Sequence, residues 1–276
     1  MKKILALVLA LLLIVVGCVA CTSEDSNAET NDTNPTETKT DDTKKDDAPD
    51  APKPVLKMAT NAFFQPYEFY KDGKIVGIDA EIAAAIANYL GYELEIVDME
   101  FDSIITAVQL GSVDFGMAGM TVTSDRMLEV DFSISYATGV QSIIVPANSP
   151  ITSADDLFAD DATYKVGVQQ GTTGDLYATW DLGEDRVVSF SNGNNAVLAL
   201  IGGSVDCVII DNEPAKALVN ENAGLKILDT SYADEDYAIC VKKGNAELLA
   251  KIDEAIYALT LDGTIDAIVA KYIPAN

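Results

Sequence analysis

Gly116-Met117-Ala118-Gly119-Met120-Thr121-Val122-Thr123-Ser124-Asp125-Arg126 is the stretch on which the fold turns. The residues leading into it, Val113 to Ala118, are mostly small and apolar, which predicts a short strand buried on both faces. Gly119 sets no side chain over the carboxyl end of that strand, so a ligand can approach the backbone. Thr121 and Thr123 supply hydroxyls, and Arg126 opens a short helix from which its guanidinium can fork back to the same point. Hydroxyls, free N–H groups and a planar guanidinium together suit a small carboxylate or phosphate.

The layout occurs twice. Leu198-Ala199-Leu200-Ile201-Gly202-Gly203-Ser204-Val205-Asp206-Cys207-Val208-Ile209-Ile210-Asp211 repeats the order of Ala107-Val108-Gln109-Leu110-Gly111-Ser112-Val113-Asp114-Phe115-Gly116, and both contain Gly-Ser-Val-Asp. Each time an apolar helix ends on Gly and a buried strand runs on to polar residues, which predicts two similar α/β halves. Ligands of open α/β sheets sit beyond the carboxyl ends of the strands. Two such ends facing each other set Arg126 and Asp211 across one cleft, and a cation opposite an anion suits a zwitterion.

Composition excludes other classes. A net charge of -26 over 276 residues gives no basic face for nucleic acid, nor for peripheral binding to anionic lipid. The chain has no histidine, so His-dependent triads and His-based zinc sites are out, and no cofactor or metal is expected. Lys2 and Lys3 followed by the apolar run Ile4 to Val16 read as a signal peptide, residues 1–17. Val15-Val16-Gly17-Cys18 resembles a lipoprotein cleavage signal with Cys18 as the lipidated residue; Cys21 is the competing position. Residues 18–52, rich in Thr, Asp, Glu, Asn and Lys, read as a disordered acidic tether without the glycine and ligand spacing of a calcium loop.

From Lys53 the order is strand, helix, strand, helix, strand, which predicts a mainly parallel sheet flanked by helices. Val55 to Ala59 and Tyr92 to Val97 read as strands, and Lys71-Asp72-Gly73-Lys74 as a hairpin turn. Asp79 is expected to cap a helix that Gly91 stops. Gly171-Thr172-Thr173 opens a helix through Trp180, and such an N-terminus welcomes a carboxylate. Cys207 and Cys240 read as buried free thiols, with a disulfide left open.

Phe64-Gln65-Pro66-Tyr67-Glu68-Phe69, Gly77-Ile78-Asp79-Ala80-Glu81-Ile82, the stretch from Ala118 to Arg126 and Val130-Asp131-Phe132-Ser133 resemble the polar amino-acid-binding proteins of ABC importers, solute-binding family 3. Gly167-Val168-Gln169-Gln170-Gly171-Thr172-Thr173-Gly174 and Ile209-Ile210-Asp211-Asn212-Glu213-Pro214 continue the match, in order, over the chain after the tether. The resemblance implies a type II periplasmic-binding-protein-like fold, with two α/β lobes joined by a two-strand hinge. It implies lobe 1 at 53–135 plus 238–276, lobe 2 at 141–232, and crossings near 136–140 and 233–237. It also implies ligand contacts at Asn61, Phe64, Phe101, Gly119, Thr121, Arg126, Gln169, Thr173 and Asp211. Its partners would be an L-amino acid, the permease subunits and, through the lipid, the membrane; the chain is expected to be monomeric.

Phe64 and Phe101 are placed to sandwich a side chain's methylenes. Asn61 and Gln169 are expected to read the polar end of the ligand. An acid often stands at the position of Asn61 in relatives that take basic amino acids or glutamine, so Asn61 predicts an uncharged polar L-amino acid or cystine. Two other functions share this fold. A cyclohexadienyl or arogenate dehydratase would need an acid or base aimed at the reacting carbon; Glu68 and Glu213 are the candidates, and neither has a base partner in the sequence. A sensing subunit of a signalling system would need a partner.

Overall fold

A computed structural model of the chain describes residues 52–229 and 232–274. The expected signal peptide, Cys18 and, apart from Pro52, the tether lie outside the described residues. Strand β1 (Val55–Thr60) buries Leu56 and Met58 and is followed by the small antiparallel sheet β2 (Phe63–Phe64), β3 (Glu68–Lys71) and β4 (Lys74–Val76). Asp72 and Gly73 join β3 to β4 with φ of 53° and 75°, the turn geometry that matches the twist of a hairpin.

Helix α1 (Ile78–Tyr89) packs Ile82, Ala83 and Ile86 inward. The expectation that Asp79 caps it is corrected. Gly77 holds the N-cap position, where a Cβ would fall 2.1 Å from the Tyr67 carbonyl oxygen. The Asp79 carboxylate turns into the protein and accepts from the Gly119 N–H and the Tyr136 hydroxyl, both at 2.8 Å. Those donors are buried and have no water to turn to, so they claim the carboxylate ahead of the first-turn amides.

The chain continues through β5 (Glu93–Asp98), α2 (Ile104–Leu110), β6 (Phe115–Gly116), α3 (Arg126–Glu129) and β7 (Val130–Phe132), then crosses on the long β8 (Ala137–Pro146). Beyond it lie β9 (Val166–Gln169), α4 (Thr173–Leu182), β10 (Val187–Phe190), α5 (Gly193–Ile201), β11 (Cys207–Asp211), α6 (Asn212–Glu221) and β12 (Leu225–Ile227). Strand β13 (Ala233–Tyr237) returns, and β14 (Cys240–Lys242) re-enters the first sheet ahead of α7 (Ala246–Leu261) and α8 (Thr264–Tyr272). The first sheet runs β5-β1-β6-β14-β7 and the second β10-β9-β11-β8-β12. Parallel pairing holds for β1 with β5 and β6, and for β9 with β10 and β11; β14 and β8 run against their neighbours. The antiparallel members belong to the crossing and the return, which travel the opposite way between the sheets. The two crossings lie side by side, paired from Ala233 opposite Gln141 to Tyr237 opposite Ala137.

The repeated Gly-Ser-Val-Asp does one job in both lobes. Gly111 and Gly203 each sit at φ 72°, where a side chain is strained, and turn the chain off α2 and α5. The Ser112 and Ser204 amides then donate back to the carbonyls of Ala107 and Ala199. Asp114 accepts the Lys57 N–H at 2.7 Å, and Asp206 accepts the Lys165 N–H at 2.7 Å. Each carboxylate thus locks the start of the central strand to its parallel neighbour, β6 in one sheet and β11 in the other.

Cys207 and Cys240 lie in different sheets and are free and buried, with burial pushing both thiols up to about 12. Among the described residues no helix is long and apolar enough to cross a membrane, and no cluster of His, Cys, Asp or Glu could hold a metal ion.

Candidate functional site

The carboxyl ends of the two sheets meet around a small cavity. All nine residues singled out in the sequence line it, and Glu68, Ala118 and Thr172 join them. Gly119 sits at φ 52°, and a Cβ there would fall 2.6 Å from the Phe64 ring, so glycine both makes the turn and lets Phe64 lie across it.

Arg126 forms the cationic wall. Its Nη1 donates to the Thr121 carbonyl at 2.7 Å and its Nη2 to the Gly171 carbonyl at 3.0 Å, one from each lobe. The guanidinium carbon stands 5.3 Å from the centre of the Phe101 ring. Two of its five N–H groups therefore fix its direction, and three remain for a ligand. Burial weighs against its charge, while Glu235, and more weakly Asp211, support it. Thr173 opens α4 beside it, and the first amides of a helix have no partner within the helix.

Asp211 forms the anionic wall at the end of β11. Gln141 Nε2 donates to its Oδ2 at 2.8 Å, and the Tyr237 hydroxyl donates to its Oδ1. Burial, then the charge of Glu235, pushes its carboxyl up to about 7, against the pull of these two donors. Gln141 Nε2 also reaches Glu235 Oε2 at 3.0 Å, and Thr121 Oγ1 donates to the same Glu235 oxygen at 3.0 Å. The sequence does not single out Glu235, and residues 233–237 read there only as an interlobe crossing. Strand alternation separates them: Asp234 and Asp236 face out and Glu235 faces in.

Asn61 and Gln169 meet across the lobes. Gln169 Nε2 donates to Asn61 Oδ1 at 3.0 Å, and Asn61 Nδ2 donates to the Met99 carbonyl at 2.8 Å. Beside them Glu68 is fully buried, and neither of its oxygens meets a protein donor. Its nearest charged neighbour is the Asp79 carboxyl, also buried, and two buried carboxyls side by side attract only with a proton between them. Burial, then Asp79, holds the Glu68 carboxyl well above the usual range; burial raises Asp79 to about 6. The sequence pointed to Glu68 only as a possible acid of an enzyme.

Two α/β lobes with a buried guanidinium and a buried carboxylate lining one cavity define a receptor for a small polar solute. The chain belongs to the bacterial extracellular solute-binding proteins, family 3, whose model matches residues 56–275. It is 32% identical to the ABC transporter glutamine-binding protein GlnH of Bacillus subtilis over 276 residues, 99% of this chain and 98% of the relative. It is 31% identical to a probable histidine-binding protein of Neisseria gonorrhoeae, over 80% of this chain and 84% of the relative. A solved ancestral arginine-binding protein bound to glutamine is 40% identical with a TM-score of 0.75, covering 80% of this chain and 98% of that one. The chain is thus an extracytoplasmic solute-binding protein with the bilobal type II fold, of a family whose matched relatives include proteins named as amino-acid-binding proteins of ABC transporters.

Proposed function

We propose that the chain captures one L-amino acid between its lobes for delivery to the permease while a lipid on Cys18 holds it at the membrane. The observation that carries the reading is the opposition of buried Arg126 and buried Asp211 across one cavity. The α-carboxylate takes the free N–H groups of Arg126 and the Thr173 end of α4. The α-ammonium takes Asp211, and the side chain runs between Phe64 and Phe101 toward Asn61, Gln169 and Glu68.

The distal end decides the ligand. The uncharged polar ligand or cystine expected from Asn61 assumes that no anion stands at this end and that Asn61 and Gln169 bond the ligand. In this structure the Asn61 oxygen and nitrogen are engaged by Gln169 and Met99. The undonated oxygens there belong to Glu68. Glu68 and Asp211 line the cavity opposite Arg126, with Asp79 and Glu235 buried behind them, and a zwitterionic backbone leaves that acidic excess unchanged. A cationic side chain reduces it, so the geometry favours an amino acid of the arginine class.

Thermal-shift and calorimetric titration against the common L-amino acids and cystine test this. Tightest binding by arginine or lysine supports it; preference for cystine or an uncharged residue returns the site to Asn61, and failure of every amino acid removes the receptor reading. Cys18→Ser tests the anchor: release from the membrane supports it, and release by Cys21→Ser instead moves the lipid to Cys21.

A further inference from the structure

We propose that Glu68 and Asp79 share one proton in the ligand-free protein and that a cationic ligand side chain displaces it to solvent, so that cation capture is coupled to proton release. The proposal rests on the reading of the cavity as a site for an amino acid with a cationic end.

The geometry favours a shared proton. Glu68 and Asp79 are both fully buried and face each other, yet Glu68 Oε1, Glu68 Oε2 and Asp79 Oδ1 find no donor in the protein. Asp79 Oδ2 is already committed to the Gly119 amide and the Tyr136 hydroxyl. Asp79 therefore sits in a place built for an anion and Glu68 in one that is not, so the proton resides on Glu68 and bonds to Asp79.

The other groups facing Glu68 are Asp98 from β5, Asp211 from β11, Tyr67 beside it, and Tyr136, with Arg126 as the cation lining the cavity. The acids among them oppose ionisation of Glu68. Glu68, Asp79 and Asp98 all lie on the lobe that carries β1, so separating the lobes leaves the pair in place.

A guanidinium or ammonium entering beside Glu68 reverses the balance. The proton leaves Glu68 for the solvent, the Glu68 carboxylate pairs with the ligand, and Asp79 keeps its amide and hydroxyl donors. Asp79 acts here as a positioning residue, because it reaches the ligand only through Glu68. An uncharged side chain offers nothing to replace the proton. The α-ammonium at Asp211 is common to both kinds of ligand, so any proton it moves cancels in the comparison.

The experiment is titration calorimetry with L-arginine and with L-citrulline, its uncharged isostere, in buffers of different ionisation enthalpy. For the wild type, arginine should release up to about one proton more than citrulline, and the ratio of their affinities should rise up to about tenfold per pH unit between about pH 5.5 and about 7.5. Glu68→Gln should erase the excess proton. Asp79→Asn can still accept from Gly119 and Tyr136 but can also donate to an ionised Glu68, so it should shrink the proton count; a merely structural role would change the melting temperature and leave the count intact. Tight arginine binding with no excess proton and a flat affinity ratio would overturn the proposal while the receptor reading stands. Binding of uncharged amino acids alone would overturn it as well, and loss of all amino-acid binding would remove the receptor reading itself.

Discussion

Gln169 Nε2 donates to Asn61 Oδ1 at 3.0 Å, and these two amides, one from each lobe, clasp the far end of the cavity. Asn61 is held in turn by the Met99 carbonyl. The pair therefore acts as a latch. Asn61→Ala should weaken arginine and citrulline by the same factor, roughly 5- to 30-fold, the value of one buried hydrogen bond and the partner it strands. Unequal losses, measured by calorimetry, would show that Asn61 reads ligand charge directly.

Arg126→Ala should abolish measurable binding. The variant leaves the ligand carboxylate in a dry cavity without its cation, a loss of roughly 3 kcal/mol or more. It also frees the Thr121 and Gly171 carbonyls that the guanidinium ties together across the lobes. Arg126→Lys restores the charge but cannot hold both carbonyls and a carboxylate at once, so it should recover only part of the affinity. Near-normal affinity in Arg126→Ala would remove the carboxylate from this wall.

The cation and anion of this site were legible because each stands in a local pattern: Arg126 after a Gly-x-Thr turn, Asp211 at the end of an apolar strand. The two repeats were legible for the same reason, since Gly-Ser-Val-Asp encodes a turn and a lock within a few residues. What the sequence hid depends on contacts far apart in the chain. Asp79 reads as a helix cap until Gly119 and Tyr136, 40 and 57 residues away, are brought to it. Glu235 is only one residue of a crossing until pairing with β8 fixes which face turns inward. Asn61 and Gln169 read together as facing the ligand, but their bond to each other across the lobes shows only in the fold.

The buried acids predict an unusual pH profile for the ligand-free protein. Asp211 rises to about 7 from an ordinary value near 4, and the Glu68–Asp79 pair holds one shared proton, so both sites favour folding while protonated. Their contribution is complete below the unfolded value and is lost as pH rises through about 6 to about 7. The ligand-free melting temperature should therefore be higher at about pH 5 than at about pH 7.5, and the gain on adding ligand should be larger at the higher pH. Asp211→Asn should melt no lower than wild type at about pH 7.5 and bind far more weakly. A ligand-free melting temperature that climbs steadily from about pH 5 to about 7.5 would contradict the assignment.

The paired crossings predict closure. Two antiparallel strands joining the lobes allow rotation with few backbone changes. The latch between Asn61 and Gln169, the Arg126 contact to Gly171 and the Gln170 contact to Asp102 at 2.9 Å all form only when the lobes meet. Small-angle scattering should give a smaller radius of gyration with saturating arginine than without ligand; superimposable curves would reject the motion.

Gly139 links the crossing to the anionic wall. It lies on β8 opposite Glu235, and a Cβ on it would fall 2.1 Å from the Tyr237 hydroxyl oxygen. That hydroxyl donates to Asp211. Gly139→Ala must push the Tyr237 ring aside, and the ring is fully buried against Tyr67, 5.2 Å between centroids, with little room to yield. The overpacking should cost roughly 1–3 kcal/mol of stability. It should also weaken ligand binding, although Gly139 does not line the cavity, because Asp211 loses a donor that holds it ionised and in place. Tyr237→Phe separates the two effects. It keeps the ring, removes only the hydroxyl, and should shift the pH at which binding falls off upward, since Asp211 ionises less readily without that donor. Calorimetry across pH checks both. Unchanged affinity in Gly139→Ala, or an unshifted profile in Tyr237→Phe, would show that the crossing does not act on the site through Tyr237.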